Sequence, residues 1–321
     1  MKHEKIKENF FGMMDQFINS AIWNGPQIKT TAVANDALLK NGMVTTPSGM
    51  TINLNDLSEK SVEGVVIDRV DSLSDNSALD GNGSSSIKTT SEDITTLPLF
   101  KLGCMRAKVF EKGYVDVVNI MLQNKAGIDG NTIVYVATKK HPPKMGYSND
   151  NIIGILGAHS NLPLIYSKIS DRWTKTVASH IDDEFSYVLY IPDIRFYVPS
   201  NEKSGCCVTD KLQKFNLLIV LTPTAKSLMT EADKKPNHKD AIMTMVSDAC
   251  KSIAYLGCKV VRFDPFSDQY FKKHPIETVD AWVTGINREK YKNTVQETIV
   301  HLPNMTDYIC FNGSLRQHSD K

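Results

Sequence analysis

Residues Ile133 to Ile169 read IVYVATKKHPPKMGYSNDNIIGILGAHSNLPLIYSKI, and this stretch decides the fold. Its first residues belong to the apolar run NTIVYVAT, which is followed by a loop with proline, glycine and lysine and then by a helix-like segment. A near-continuous apolar strand bounded by polar residues is typical of a sheet that is buried on both faces. The stretch therefore predicts a strand–loop–helix unit of an α/β domain.

Strands and helices are predicted to alternate on both sides of this stretch. Apolar and aromatic runs predict strands at LPLFKLGCMRAKVF, FSYVLYIPDIRFYV, FNLLIVLTPTA and CKVVRF, and a closing strand at TDYICFNGS. Pro192 is expected to mark an edge or a break in its strand. One helix is predicted from Ala241 to Leu256 and ends at Gly257, and another is predicted at PIETVDAWVTGI. The run VDVVNIMLQN fits either a helix or a strand. This alternation predicts a three-layer α/β domain.

The chain before this alternating region has a different character. Apolar residues at helical spacing predict a helix that ends near Ile22, and TAVANDALLKNG predicts a second helix that ends at Gly42. VTTPSGMTINL predicts two short strands around a Pro-Ser-Gly turn. Residues 71–95 are rich in Ser, Asn, Asp and Gly and predict a loop or insertion. We therefore divide the chain into an N-terminal extension (1–70), this loop (71–95) and an α/β core (96–321).

The composition excludes several functional classes. A hydrophobic fraction of 41%, a charged fraction of 23% and a net charge of +1 predict a soluble globular protein without bias toward nucleic acids or membranes. The N-terminus lacks the apolar core of a secretory signal. The six cysteines form no C-x-x-C pair and are expected to be reduced, which predicts an intracellular protein, cytoplasmic or nuclear. Lysine pairs at 139–140, 234–235 and 272–273 are expected on solvated faces.

Three loops follow predicted strand ends, where an open α/β sheet binds its ligand. They cover residues 138–160, 222–227 and 264–269. A phosphate site needs exposed backbone amides, which glycines or a helix N-terminus supply. The third loop has no glycine, although Ser267 would offer a hydroxyl and an amide. The candidate ligand-binding residues are Gly157, His159, Asn161, Thr222, Ser267 and Asp268. The histidines lack metal-ligand spacing, and we predict no metal and no cofactor.

Four stretches together resemble the microbial-type poly(ADP-ribose) glycohydrolases, a macrodomain family. They are TAVANDALLKNGMVTTPSGMTINLNDLSEKSVEG, IVYVATKKHPP, FNLLIVLTPTA and LGCKVVRFDPFSDQYFKKHPIETVDAWVTGI. Their order and spacing carry the resemblance, which spans residues 31–311. It implies a macrodomain-like mixed sheet with helices on both faces and an N-terminal helical extension. It also implies a ligand of the ADP-ribose class.

The chain departs from the pattern of this family where the resemblance places catalysis. The family's asparagine falls at about Tyr135, and its glycine triplet falls at about Pro143, Lys144 and Met145. Its Gln-Glu-Glu run falls near Asn161, Leu162 and Pro163. The resemblance implies that one of those glutamates protonates the leaving group. A leucine and a proline cannot transfer protons, so we expect a divergent member without the catalytic signature.

Three functions are compatible with this sequence. The first is an inactive macrodomain that binds an ADP-ribose-like nucleotide or an ADP-ribosylated protein. The second is an active hydrolase of a related nucleotide bond that uses His159, Asp182 or Asp268, and a Ser–His–Asp arrangement of Ser160, His159 and Asp268 is conceivable. The third is a structural component, for example of a viral or parasite assembly, which binds a protein partner or a second copy. In that case Tyr135, Met145 and Phe266 would fill the pocket.

Overall fold

The computed structural model describes residues 31–74, 100–101, 131–139, 143, 152–197, 199–200, 205–207, 212–223, 238–300, 309–311 and 313. The strands are β1 (Met43–Thr45), β2 (Thr51–Asn53), β3 (Val66–Arg69), β4 (Phe100–Lys101), β5 (Asn131–Thr138), β6 (Tyr187–Phe196), β7 (Gln213–Thr222), β8 (Val260–Phe263) and β9 (Glu297–Val300). The helices are α1 (31–41), α2 (Leu54–Glu63), α3 (Ile152–His159), α4 (Leu162–Ser179), α5 (His238–Tyr255), α6 (Gln269–Lys273), α7 (Pro275–Ile286) and α8 (Glu289–Thr294).

Within these ranges seven strands form one mixed sheet in the order β3-β6-β7-β5-β8-β9-β4. The five strands β7, β5, β8, β9 and β4 are parallel to one another, whereas β6 is antiparallel to both β7 and β3. The strand β5 lies at the centre, and each of its eight residues is buried. This agrees with the apolar sequence of β5, since a central parallel strand is covered on both faces.

Helices cover both faces of the sheet, so the predicted three-layer architecture is confirmed. Side chains alternate along each strand, and Val134 and Val136 of β5 face a core built with α5, α7 and α8. Ile133 and Ala137 face the other core, which is built with α3 and α4. Trp282 of α7 is fully buried and stacks on Phe263 of β8 with ring centroids 4.0 Å apart, so it belongs to the first of these cores.

The N-terminal part of the described chain packs at one side of this sheet. β1 and β2 pair as the predicted antiparallel hairpin, and Gly42 ends α1 with a positive φ of 66°. Leu38, Val44 and Leu54 form a small separate core with Tyr197 and Cys207. The residues of β3 pair with β6 in the main sheet. The division of the chain at residue 70 stays a prediction, although the sheet extends across it.

The structure confirms most predicted elements and corrects one. The strand with Pro192 has a register shift between Ile191 and Ile194, which confirms the predicted break. Gly257 follows α5 with a positive φ of 66°. The predicted closing strand at TDYICFNGS is wrong, since residues 309–311 are helical and β9 is the last described strand. A short apolar run fits either element, and here Phe311 packs edge-on against Phe266. The helix predicted before Ile22, the run VDVVNIMLQN and the loop after Ser74 lie outside the described residues.

Candidate functional site

Three parallel strands end at one edge of the sheet, which we call the carboxyl edge. It is formed by the paired residues Thr138 of β5 and Thr222 of β7, and by the loop after Phe263 of β8, which reaches Thr138 at Asp268. The opposite edge, where these strands begin, is called the amino edge. In open α/β sheets the ligand crevice lies beyond the carboxyl ends of the strands. The carboxyl edge is therefore the candidate functional site.

The loop after β8 is fastened to the end of β5 through Asp268. One carboxylate oxygen of Asp268 accepts hydrogen bonds from the amide and the hydroxyl of Thr138, at 3.0 and 3.2 Å. The other oxygen accepts from the amide of Tyr270 at 2.7 Å and caps α6. Asp268 is buried. Its carboxylate is thus used to join β5 to α6.

Ser267 does not offer the hydroxyl and the amide that the sequence analysis expected. Its hydroxyl donates to the carbonyl of Val136 at 2.5 Å, and its amide donates to the carbonyl of Asp264 at 3.3 Å. Both groups are used inside the protein because the loop is short and folds back on β5. The expectation that Ser267 supplies phosphate-binding groups is therefore corrected.

Thr222 and Lys139 connect β7 with β5 at the same edge. The hydroxyl of Thr222 donates to the carbonyl of Ala137 at 3.3 Å, and the amide of Lys139 donates to the carbonyl of Thr222 at 2.9 Å. Thr222 is fully buried. Among the candidate residues, Thr222, Ser267 and Asp268 are thus brought together, and each bonds to the backbone of β5.

Lys139 corrects a second expectation, because its side chain is buried rather than solvated, with an exposed fraction of 1%. Its ammonium donates to the carbonyls of His180 and Asp183, at 2.6 and 2.7 Å, and forms an ion pair with the Asp183 carboxylate. A buried ammonium must be paired in this way. Lys272 and Lys273, in contrast, are exposed as expected, and the remaining lysines of the three pairs lie outside the described residues.

Asp183 receives hydrogen bonds that keep it ionised. Burial raises the pKa of Asp183, but bonds from Lys139, Tyr187 and the amide of Phe185 outweigh burial and lower the pKa below its usual range. Tyr187 donates its hydroxyl to Asp183 at 2.7 Å. This second carboxylate near the carboxyl edge therefore acts as an anchor for the turn between α4 and β6. The neighbouring Asp182 and Glu184 are exposed.

Two of the three bulky residues that were expected to fill the pocket are buried. Tyr135 is 8% exposed and Phe266 is 1% exposed, whereas Met145 lies outside the described residues. The Tyr135 hydroxyl donates to the carbonyl of Ser267 at 3.4 Å, and burial, followed by the charges of Asp268 and Asp264, raises its pKa to about 12. The phenol therefore remains protonated at neutral pH and cannot act as a base.

The structure places Gly157, His159 and Asn161 at the amino edge, far from the other three candidates. The amide of Tyr197 donates to the carbonyl of His159 at 2.7 Å, and Ser160 pairs with Phe196, which itself pairs with the first residue of β7. A strand of eight residues such as β5 is about 26 Å long. The described structure therefore does not assemble the six candidates into one pocket.

At the amino edge these residues serve the packing of the fold. The Asn35 side chain of α1 donates to the carbonyls of Gly157 and Ser160, at 2.9 and 3.0 Å. The Asn161 side chain accepts from the amide of Arg195 at 2.8 Å and donates to the Ser58 hydroxyl at 2.9 Å. Asn161 thus joins α2, α4 and β6, so the Gln-Glu-Glu position inferred from the resemblance does not line the carboxyl edge.

His159 is fully buried, and its ring lies 5.5 Å from that of Phe196. Burial lowers its pKa to about 4, so the imidazole is neutral at physiological pH. His159 and Asp268 lie at opposite edges of the sheet, and Asp182 is exposed in the turn after α4. The geometry consequently provides neither the Ser160–His159–Asp268 arrangement nor a site that combines His159, Asp182 and Asp268.

No group of three or more His, Cys, Asp or Glu side chains in the described ranges is arranged to hold a metal ion. Within the same ranges, no helix has the length and the apolar character that a bilayer crossing requires.

Comparison with solved structures relates this architecture to known proteins. Poly(ADP-ribose) glycohydrolase from Thermomonospora curvata superposes with a TM-score of 0.53 at 12% identity, over 89% of this chain and 99% of that one. The chain has the fold of the poly(ADP-ribose) glycohydrolases. The T. curvata enzyme bound to the inhibitor ADP-HPD gives a TM-score of 0.52 at 11% identity, over 89% and 98% of the two chains.

The same fold is present in a second bacterial enzyme. Poly(ADP-ribose) glycohydrolase from Deinococcus radiodurans in complex with ADP-ribose gives a TM-score of 0.51 at 10% identity, over 82% of this chain and 97% of that one. No protein-family model and no curated protein matches the chain. The resemblance noted in the sequence is therefore supported at the level of the fold.

Proposed function

We propose that this chain is a macrodomain-type binding module that holds an ADP-ribose-like nucleotide at the carboxyl edge without hydrolysing it. The observation that carries this proposal is that three carboxylates at or beside this edge, Asp268, Asp264 and Asp183, each accept hydrogen bonds from groups of the protein itself. Glycoside cleavage generally requires a pair of carboxylates, one of which exchanges a proton with the leaving group. A carboxylate that holds backbone amides or a buried ammonium is directed into the protein and away from a ligand.

The sequence around the first helix after β5 supports this proposal. The first turn of α3 contains no acidic residue. Between Thr138 and Asp171 the sequence contains a single carboxylate, Asp150. A carboxylic acid from this part of the chain that donates a proton would therefore have to be Asp150, so this residue is the one to substitute.

Solved structures with this fold support the proposed class of ligand, an ADP-ribose-like nucleotide. The solved structures with this fold include complexes with ADP-ribose and with ADP-HPD. Both are nucleotide-type ligands, and a site at the carboxyl edge agrees with the general rule for open α/β sheets. An ADP-ribosylated protein would present the same chemical group.

The first experiment is a calorimetric and thermal-shift titration with ADP-ribose, with AMP and NAD as comparison ligands. We expect saturable binding of ADP-ribose and a rise in Tm that grows once the ligand exceeds its Kd. In parallel, poly(ADP-ribose) is incubated with the wild type and with Asp150→Asn. We expect no released ADP-ribose from either, and release that disappears in Asp150→Asn would overturn the proposed lack of hydrolysis.

A pair of matched variants locates the site. Ser267→Phe puts a large ring at the carboxyl edge, whereas Ser167→Phe puts the same ring on the exposed surface of α4. We expect Ser267→Phe to weaken binding of ADP-ribose by at least tenfold while circular dichroism confirms that it is folded, and Ser167→Phe to bind like the wild type. Equal affinity of all three proteins would exclude a site at this edge.

A second candidate function is a structural protein with a filled pocket. The observations that favour it are the burial of Tyr135 and Phe266 and the use of Ser267 inside the protein. It predicts no response to millimolar ADP-ribose and self-association or a protein partner instead. Sedimentation of the full chain as a strict monomer would count against the self-associating form of this function.

A further inference from the structure

Three aromatic side chains from three different segments meet beside the start of α5. His238 is the first residue of α5, Tyr270 belongs to α6, and His274 lies at the junction between α6 and α7. The rings of His238 and His274 stack with centroids 4.2 Å apart and an interplanar angle of 21°. The Tyr270 hydroxyl lies 2.8 Å from Nδ1 of His238. This cluster, which we call the histidine stack, fastens α5 to the α6–α7 junction.

The stack is arranged so that it favours neutral imidazoles. In the neutral tautomer that carries its proton on Nε2, His238 accepts a hydrogen bond from Tyr270 at Nδ1. Burial, followed by the charge of Glu277, raises the pKa of Tyr270, so that this donor persists at neutral pH. A proton on Nδ1 of His238 would turn this nitrogen into a donor and reverse the hydrogen bond. Two imidazolium rings at stacking distance would also repel each other.

The surroundings add to this preference. Burial, the charge of His238 and the charge of Lys273 lower the pKa of His274, and Glu277 opposes them. The charged and titratable neighbours on the packed segments are Lys239 and Asp240 of α5, Lys272 and Lys273 of α6, and Glu277 of α7.

All three rings are partly exposed, so protons can reach them from solvent. We propose that the histidine stack is a pH-sensitive latch, which holds the first turn of α5 against α6 and α7 when its imidazoles are neutral and releases it when both are protonated. The latch lies in the segments that follow β7 and β8, next to the carboxyl edge. It is independent of the proposed function, because it requires no ligand.

Hydrogen exchange of the first turn of α5 tests this latch in the full chain. Exchange is measured at about pH 7.5 and about pH 5.5, which span the ordinary titration of imidazole, and is corrected for the intrinsic rate. Amides of β7 serve as the reference for global unfolding. We expect protection of the first turn to fall at least tenfold more than that of β7 when the pH is lowered.

Variants separate the latch from a general effect of pH. The double variant His238→Phe/His274→Phe keeps two stacked rings without a titratable group, and we expect it to lose the pH response. His180→Phe, at a histidine whose ring lies tilted against that of Tyr187, should respond like the wild type. An unchanged response in the double variant, or no response in the wild type, would overturn the proposal.

A second measurement covers the case in which the double variant does not fold. The pKa of His274 is followed by NMR of its ring protons in the wild type and in the single variant His238→Gln. If the two rings repel each other when protonated, removal of the charge of His238 raises the pKa of His274. An unchanged pKa of His274 would show that the rings are not coupled and would refute the latch.

Discussion

Asp268 receives both the amide and the hydroxyl of Thr138 on a single carboxylate oxygen, so the last residue of β5 is held by the residue that caps α6. These hydrogen bonds bear on whether Asp268 is a catalytic or a structural residue. A carboxylate directly beyond a central strand of an open α/β sheet lies where such sheets bind their ligands, so it is a natural candidate for a catalytic role. Its bonds here instead assign it to the construction of the edge.

The first prediction concerns the stability that this carboxylate provides. Asp268→Ala leaves the buried amide and hydroxyl of Thr138 without their acceptor and removes the cap of α6. We expect the free energy of unfolding to fall by about 2–3 kcal/mol, measured by urea denaturation. Asp182→Ala, at an exposed carboxylate, should change it by less than about 0.5 kcal/mol. Equal effects of the two substitutions would contradict the structural role of Asp268.

The second prediction concerns the buried ammonium of Lys139. Lys139→Met keeps the length of the side chain but removes three hydrogen bonds, to two carbonyls and to the Asp183 carboxylate. We expect the free energy of unfolding, measured by urea denaturation, to fall by about 3 kcal/mol, because removal of one partner from a buried pair leaves the other groups unsatisfied. Lys272→Met, at an exposed lysine of α6, is the control and should be nearly neutral. If Lys139→Met left the free energy of unfolding unchanged, the buried ammonium would not be needed for stability.

The ion pair of Lys139 also predicts a response to acid. The pKa of Asp183 is lowered in the folded protein, so its contribution to stability is complete above the pKa of the unfolded state, about 3.9. That contribution is lost as the pH falls through the lower pKa of the folded state. We expect Asp183→Asn to be less stable than the wild type at pH 7, and expect this difference to shrink below about pH 4. A constant difference across this range would contradict the ionised pair.

The sequence predicts the layers of this fold better than it predicts the site. The apolar run of β5 and the turn at Gly42 each depend on local physics, namely burial on both faces of a strand and the freedom of glycine at positive φ. The run at TDYICFNGS is misassigned because a few apolar residues fit both element types. Tertiary packing of Phe311 against Phe266 decides that case.

The positions of the candidate site residues depend on the path of the chain, which local patterns do not reveal. Asn161 follows the loop after β5 in sequence, yet α3 carries the chain to the amino edge before α4 begins. Lys139 has the polar character of a surface residue, and its burial arises only because His180 and Asp183 return to the end of β5. A lysine at the end of a near-continuous apolar strand is a signal that could have indicated this anchor.

His159 supplies the fourth prediction, which concerns the dependence of stability on pH. Burial lowers its pKa to about 4, below the ordinary value of about 6.5 that it regains on unfolding. The unfolded state therefore binds more protons between these values, and stability falls as the pH drops through this window. Because of this histidine, we expect the free energy of unfolding of the wild type to fall by about 2 kcal/mol between pH 7 and pH 5. Urea denaturation at both pH values measures this change.

A variant without the titratable group isolates this effect. His159→Leu should lose less stability than the wild type over the same interval, whatever its stability at pH 7. His180→Leu, at a histidine that is only partly buried, serves as the control and should retain the pH dependence of the wild type. An identical pH dependence of His159→Leu and the wild type would mean that the imidazole of His159 is accessible to protons in the folded state.

The last prediction uses Tyr135 to decide between an open and a filled pocket. If the ring is part of the core, Tyr135→Ala should lower the free energy of unfolding by about 3–5 kcal/mol, as expected for the truncation of a buried aromatic residue. Tyr135→Phe removes only the bond to the carbonyl of Ser267 and should cost about 1 kcal/mol. Tyr166→Ala, at a partly buried tyrosine of α4, should cost less than Tyr135→Ala.

Titration of the same variants with ADP-ribose completes the test. A large loss of stability combined with binding that appears only in Tyr135→Ala would mean that this ring occupies the space of the ligand, because truncation of a packed side chain leaves a cavity. A loss below about 1 kcal/mol in Tyr135→Ala would instead place the ring on the wall of an open site. In that case the wild type should bind the nucleotide and Tyr135→Ala should bind it more weakly, since the ring would contribute contacts to the ligand.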